Sequence, residues 1–214
     1  MLKATLPPLI TGVIILAITY LLSGAVSNGI QKQLAQVAAV KEMQPLLTTL
    51  GASNISPTDA TATALTLSAY GPAAISPLLN ILQGGQQNQV LAASEGLRAI
   101  GLANSAAACT QFAQVLRNRT RLFTWQTQRE VIVVAGELGC DLKPLLQSLA
   151  ALVERSLGHA DFAPYAKTVQ PSELTLDKMQ KIQGALRDAL QLMDQKHDLQ
   201  SLLHHGSQVQ GRSS

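Results

Sequence analysis

The sequence predicts an all-α protein: an apolar membrane-spanning helix, then a stack of about four helix pairs, then a C-terminal capping helix. Three observations predict it. A short apolar helix signature recurs as PLLTTL from Pro45, PLLNIL from Pro77, QFAQVL from Gln111 and PLLQSL from Pro144, at spacings of 32, 34 and 33 residues. A period in the thirties marks stacked helical units that bury their apolar faces against one another. Aromatic residues make up 3% of the chain and charged residues 14%, against 47% apolar. Such a composition packs Ala and Leu between helices rather than β-branched and aromatic side chains in a sheet. Lastly, no charge occurs between Lys3 and Lys32, and within that gap Leu9 to Val26 is almost wholly apolar.

Residues 1–30 are read as the membrane segment. Eighteen helical residues span roughly 27 Å, close to the hydrocarbon thickness of a bilayer. Pro7 and Pro8 stand at its start, where a missing N–H costs least. Ser23, Gly24 and Ala25 also supply the small residues of a signal-peptidase site, so a cleaved signal peptide is the competing reading. The run continues past that site with the full length of a span, which favours an uncleaved anchor. Lys3 and the α-amino group hold a short positive N-terminus in the cytoplasm. This gives a single-pass protein of a bacterial inner membrane with its repeat domain in the periplasm.

Residues 31–157 are read as the repeats. Helical character runs from Gln31 to Leu50, and Gly51 to Pro57 is a loop. Further helices follow over Thr61–Tyr70, Ala73–Leu82, Asn88–Ile100, Ser105–Leu116, Leu122–Leu138 and Leu142–Leu157. Each pair joins a first helix bearing the apolar signature to a second that ends in glycine: Gly71, Gly101 and Gly139. Glycine there permits the left-handed conformation that closes a helix. The stretches Ala93–Gly101 (ASEGLRAIG) and Tyr70–Leu82 (YGPAAISPLLNIL) resemble the HEAT-repeat family, particularly its short bacterial members. The resemblance covers about Met43 to Leu157 and is one of pattern. The Asp and Arg common between repeats of that family are not regularly placed, and the third copy lacks the proline. It implies an α-solenoid, a curved platform for other macromolecules.

Residues 158–171 are read as an irregular linker. Ser172 then caps a long amphipathic helix over 172–205, with Met179, Ile182, Leu186, Ala189 and Met193 along one face. Its simplest role is to cover the open end of the stack, and an intermolecular coiled coil is the sharper alternative. Residues 206–214 are expected to form a disordered tail.

Candidate chemistry is sparse. Between Glu95 and Glu130 there is no acidic residue, yet Arg98, Arg117, Arg119, Arg121 and Arg129 all fall there. Of the 16 Lys and Arg, these five leave 11 elsewhere, against 13 acidic residues, so the basic balance comes from this one segment. Arg117, Arg119, Arg121, Trp125 and Arg129 form the candidate interaction surface. Arginines beside an aromatic can grip an acidic protein surface, lipid headgroups or phosphates. Equally, they can close the preceding helix by capping its carbonyls while Trp125 is buried between repeats. Nucleic acid is disfavoured, because five arginines are few for a dedicated binder.

Cys109 and Cys140, in successive units, are a candidate disulfide if the compartment oxidises. They lie out of register, two residues before Gln111 and four before Pro144, and buried free thiols are the commoner outcome in an Ala-rich core. Asp194, His197 and Asp198 share a helical face, but with no HExxH motif or cysteine pair beside them no metal is assigned. There is no Gly-rich phosphate loop, GxSxG elbow or CxxC, hence no cofactor, catalytic residue or small-molecule substrate is assigned. The chain is therefore expected to be a non-enzymatic scaffold or adaptor subunit of a membrane-associated complex, binding protein partners. The alternative is a regulatory binder of an anionic ligand, lipid headgroup or nucleic acid, through the arginine turn.

Overall fold

Ser56 and Pro57 show how this chain starts a helix. Proline fixes the first helical residue, and the Ser56 hydroxyl accepts from the Asp59 N–H at 3.1 Å. Helix α2 therefore begins one residue before Thr58 and Asp59, which the sequence also offers as a helix start. The computed structural model describes residues 38–118, 123–170 and 174–210, with the side chains of 200–210 left aside. Residues 38–50 are helical (α1). Then come α2 (Pro57–Ser68), a 3-10 turn (Gly71–Ala74), α3 (Ile75–Gly84), α4 (Gln87–Ala103) and α5 (Ser105–Arg117). The chain continues through α6 (Trp125–Leu138), α7 (Lys143–Leu157), α8 (Ala163–Ala166) and α9 (Leu176–Gln210). The chain divides into two compact units, Met1–Gln44 and Pro45–Ser214, and the helices from α2 onward all belong to the second.

Within that unit, α3/α4, α5/α6 and α7/α9 are the helix pairs, with α2 stacked on α4. The second helices, α2, α4, α6 and α9, form one layer and run in the same direction, because the residues at which they meet advance together. Ala64 meets Gly96, then Ser94 and Arg98 meet Glu130 and Glu137, and Gly136 and Gly139 meet Ala189 and Lys196. Small residues bring these helices close. A Cβ on Gly96 would lie 2.9 Å from the Ala64 carbonyl oxygen, and one on Gly136 would lie 2.6 Å from the Ala189 Cα. This is the packing expected of an α-solenoid.

The signature helices supply the core: Leu78, Leu82, Phe112, Leu116, Leu146 and Leu149 are all buried. The terminal glycines do not share one role. Gly71 and Gly139 are left-handed, at φ 59° and 65°. At the end of α6, Gly139 and Cys140 donate back to Gly136 and Ala135, and the Lys196 ammonium donates to the Leu138 carbonyl at 2.8 Å. Gly101 instead lies inside α4, which continues to Ala103, and a Cβ there would collide with the Leu138 side chain. It is a packing glycine.

Three expectations are corrected. Among the described residues no helix is long and apolar enough to cross a membrane, which overturns the single-span, inner-membrane, periplasmic reading. Helix α9 has the length, at 35 residues, but carries charges from Asp177 to Asp198. Leu9–Val26, on which the span was read, lies outside the described residues. Second, residues 158–170, irregular apart from α8, are more than a connection: they pack into the fold. Tyr165 of α8 is fully buried, its hydroxyl donates to Gln128 Oε1 at 2.9 Å, and its N–H donates to Ser156 Oγ at 2.9 Å. Gln128 Nε2 in turn donates to the Thr168 carbonyl at 2.7 Å, and Phe123 forms a bridge with Val169. Third, α9 continues through Gly206 to Gln210, where a disordered tail was expected, while residues 211–214 lie outside the described set. Ser172, expected to cap this helix, also lies outside it, and Thr175 Oγ1 accepts from the Lys178 N–H at 3.3 Å.

Candidate functional site

The acid-free segment runs from α4 through α5 into the first turn of α6. Helix α5 buries Ala108, Phe112, Val115 and Leu116, an i, i+4, i+7, i+8 stripe. That leaves Thr110, Gln114 and Arg117 exposed on the opposite side. Arg117 sits in the last turn, where its charge complements the carbonyl end of the helix. Arg119 and Arg121 lie outside the described residues.

The remaining two arginines are engaged by carboxylates. Arg98 Nε donates to Glu137 at 2.6 Å and its Nη1 pairs with Glu95 at 2.6 Å, joining α4 to α6. The Glu137 hydrogen bond, helped by Glu95, pushes the guanidinium further up from its already high range, against the opposing effect of burial. Arg129 pairs with Glu130, and its Nε is buried with no hydrogen-bond partner among the described residues. Glu130 also accepts from Ser94 Oγ at 3.1 Å, so it ties successive units together. Arg98 thus holds repeat to repeat directly, whereas Arg129 pairs within α6 with the carboxylate that does so. Trp125, the first residue of α6, is half-buried, with the Lys178 ammonium of α9 at 5.8 Å from its ring centroid. The candidate surface is therefore divided: Arg117 faces outward from α5, while Trp125 and Arg129 are drawn into contacts of the fold.

Cys109 and Cys140 are bonded, with their Cα atoms 5.4 Å apart. The register mismatch is absorbed by the turn: Gly139 reverses the chain, and Cys140 lies in that turn rather than on α7. The disulfide lies between two open grooves. One, of about 640 Å³, lies between α5 and the start of α7 and is lined by Cys109, Thr110, Gln114, Arg117, Asn118 and Asp141. The other, of about 940 Å³, includes Cys140, Lys143, Asp194, Lys196, His197 and Asp198. In it Asp194 pairs with Lys143 at 2.5 Å. Among the described residues, no group of three or more His, Cys, Asp or Glu is placed to hold a metal ion. A third groove, of about 250 Å³, separates α3 from α5 and is lined by Ser76, Asn80, Gln111, Gln114 and Asn118.

The sequence reading missed these amides and hydroxyls because no motif contains them. The available signal was spacing: Ser76 and Asn80, and Thr110 and Gln114 with Asn118 at the helix end, recur every four residues along helices that contain no acidic residue.

Compared with protein-family models, curated proteins and solved structures, the chain has no match. The resemblance to HEAT repeats thus rests on the pattern of the chain alone.

Proposed function

We propose that this chain is a non-enzymatic scaffold or adaptor that presents a HEAT-like helical-repeat surface to protein partners. The observation that carries this reading is the inequality of the two layers. Second helices close on one another at Gly96, Gly101 and Gly136, and their groove of about 940 Å³ opens only at the end of α6 beside α9, whereas successive first helices leave grooves of about 250 and 640 Å³ open to solvent along their flanks. A layer with gaps between parallel ridges offers a partner more contact area than a closed one. The anionic-ligand alternative is weaker, because Arg98 and Arg129 direct their charge to Glu95, Glu137 and Glu130.

Affinity purification of the tagged full chain, followed by gel filtration, tests the proposal. The expected result is a protein partner that co-elutes in fixed stoichiometry. Recovery of the chain alone, together with binding to vesicles rich in anionic lipid, would favour the alternative.

A further inference from the structure

Helices α3 and α5 present a continuous polar surface. Gln114 and Asn118 line both the α3–α5 groove and the α5–α7 groove, so the two hollows share a wall. Ser76 and Asn80 stand on one side of that wall, and Arg117 stands with it at the end of α5. The floor is closed by Leu79, Val115 and Phe123, each under about a tenth exposed, so little apolar surface is on offer.

We propose that this face docks an extended, acidic peptide segment of a partner protein; the proposal rests on the scaffold reading and names the surface and the occupant. A carboxamide donates and accepts at once, as a peptide group does, so Gln111 and Gln114, three residues apart on α5, can meet the N–H and C=O groups of an extended chain. A helix uses those backbone groups internally and offers such a pair only its side chains. Neighbouring helices stand about 8–10 Å apart, which an extended segment bridges with about three residues. Charge selects the acid. Neither α3 nor α5 contains an acidic residue, and Arg117 is exposed in the larger groove beside Asn118, which lines both. Asp141 lies on the far rim of the larger groove, so an acidic side chain is placed on the Arg117 side and away from α7.

Selection of a displayed library of random linear peptides against the full chain is the test. Enriched peptides are expected to carry Asp or Glu, to lack helical periodicity and to weaken when their backbone is N-methylated. The double variant Gln114→Ala, Arg117→Ala should bind them at least about tenfold less tightly with its melting temperature unchanged, since a tenfold change corresponds to about 1.4 kcal/mol. Gln111→Ala provides a second variant should the first unfold. Leu91→Ser, an exposed position on the second-helix layer, should bind as the parent does. Enrichment of basic or amphipathic-helical peptides, no enrichment at all, displacement by a single-stranded oligonucleotide, or undiminished binding by the folded variants would overturn the proposal. The scaffold reading fails separately: it falls when the parent chain purifies without a partner, and it survives when the double variant still recovers one.

Discussion

Gly136 and Gly184 form a matched pair of substitutions with opposite expected signs. Both are helical, and alanine is favoured over glycine in a helix interior by roughly 1 kcal/mol. Their surroundings differ. A Cβ at Gly184 meets nothing within 4 Å, so Gly184→Ala should stabilise the fold by about 0.5–1 kcal/mol. A Cβ at Gly136 would lie 2.6 Å from both the Cα and the Cβ of Ala189, well inside normal contact, so α9 must move off α6. Overpacking costs about 1–3 kcal/mol, and because a backbone atom is struck the upper end applies. After the propensity gain, Gly136→Ala should destabilise by about 1–2 kcal/mol, or about 2–8 °C in melting temperature for a unit of this size. Thermal and urea unfolding of the two variants beside the parent give the signs. Adding Ala189→Gly to Gly136→Ala should recover part of the loss and no more, since the clash with the backbone of residue 189 persists. Equal stabilisation by both alanines, or strict additivity in the double variant, would refute the close packing of α6 on α9.

Two further outcomes follow from the same structure. The disulfide closes a loop with a sequence separation of 31 residues. Loop-closure entropy assigns a loop of that size about 3.7 kcal/mol, so reductant should lower the melting temperature by roughly 7–15 °C. The variant with Cys109→Ala and Cys140→Ala should melt low with or without reductant; a parent indifferent to reductant would contradict the bond. Tyr165→Phe removes the hydroxyl that donates to Gln128 Oε1 inside the buried cluster. Leaving that acceptor unpaired should cost about 1–3 kcal/mol in denaturant unfolding, and a neutral result would mean that water reaches the site.

Much of the architecture was legible because helix periodicity and glycine stops are local signals. The segments Ser105–Leu116 and Leu142–Leu157 differ from α5 and α7 by a single residue at one end. Legibility ended where the cause lies elsewhere in the chain. Gly101 reads as a helix stop until Leu138 is seen against it. Residues 158–170 read as a mere connection because they are held by Gln128, some 40 residues back in the chain, and by the Ser156 hydroxyl at the end of α7. The arginine segment read as one surface because its charges are contiguous along the chain. The carboxylates that engage Arg98 and Arg129 come from the segment's two borders and from Glu137 beyond it, and a count of the acid-free interval excludes them.

The division of labour between the layers has a consequence for reading variants of this chain. Where Gly96, Gly101 and Gly136 set the distance between second helices, any added side chain strikes a neighbouring helix, and stability changes first. Where Gln111, Gln114 and Arg117 line the grooves, truncation removes polar atoms from half-buried or exposed positions and leaves the apolar stripe of α5 intact, so stability should shift by under about 0.5 kcal/mol. The two sets of positions lie on different helices and do not overlap. Loss of partner binding in a stable protein therefore maps to the first-helix layer, and loss of binding that tracks loss of fold maps to the second. A stable variant of Gly136 that loses binding, or an unstable one of Gln114 that keeps it, would break this correspondence and with it the assignment of the grooved layer as the working surface.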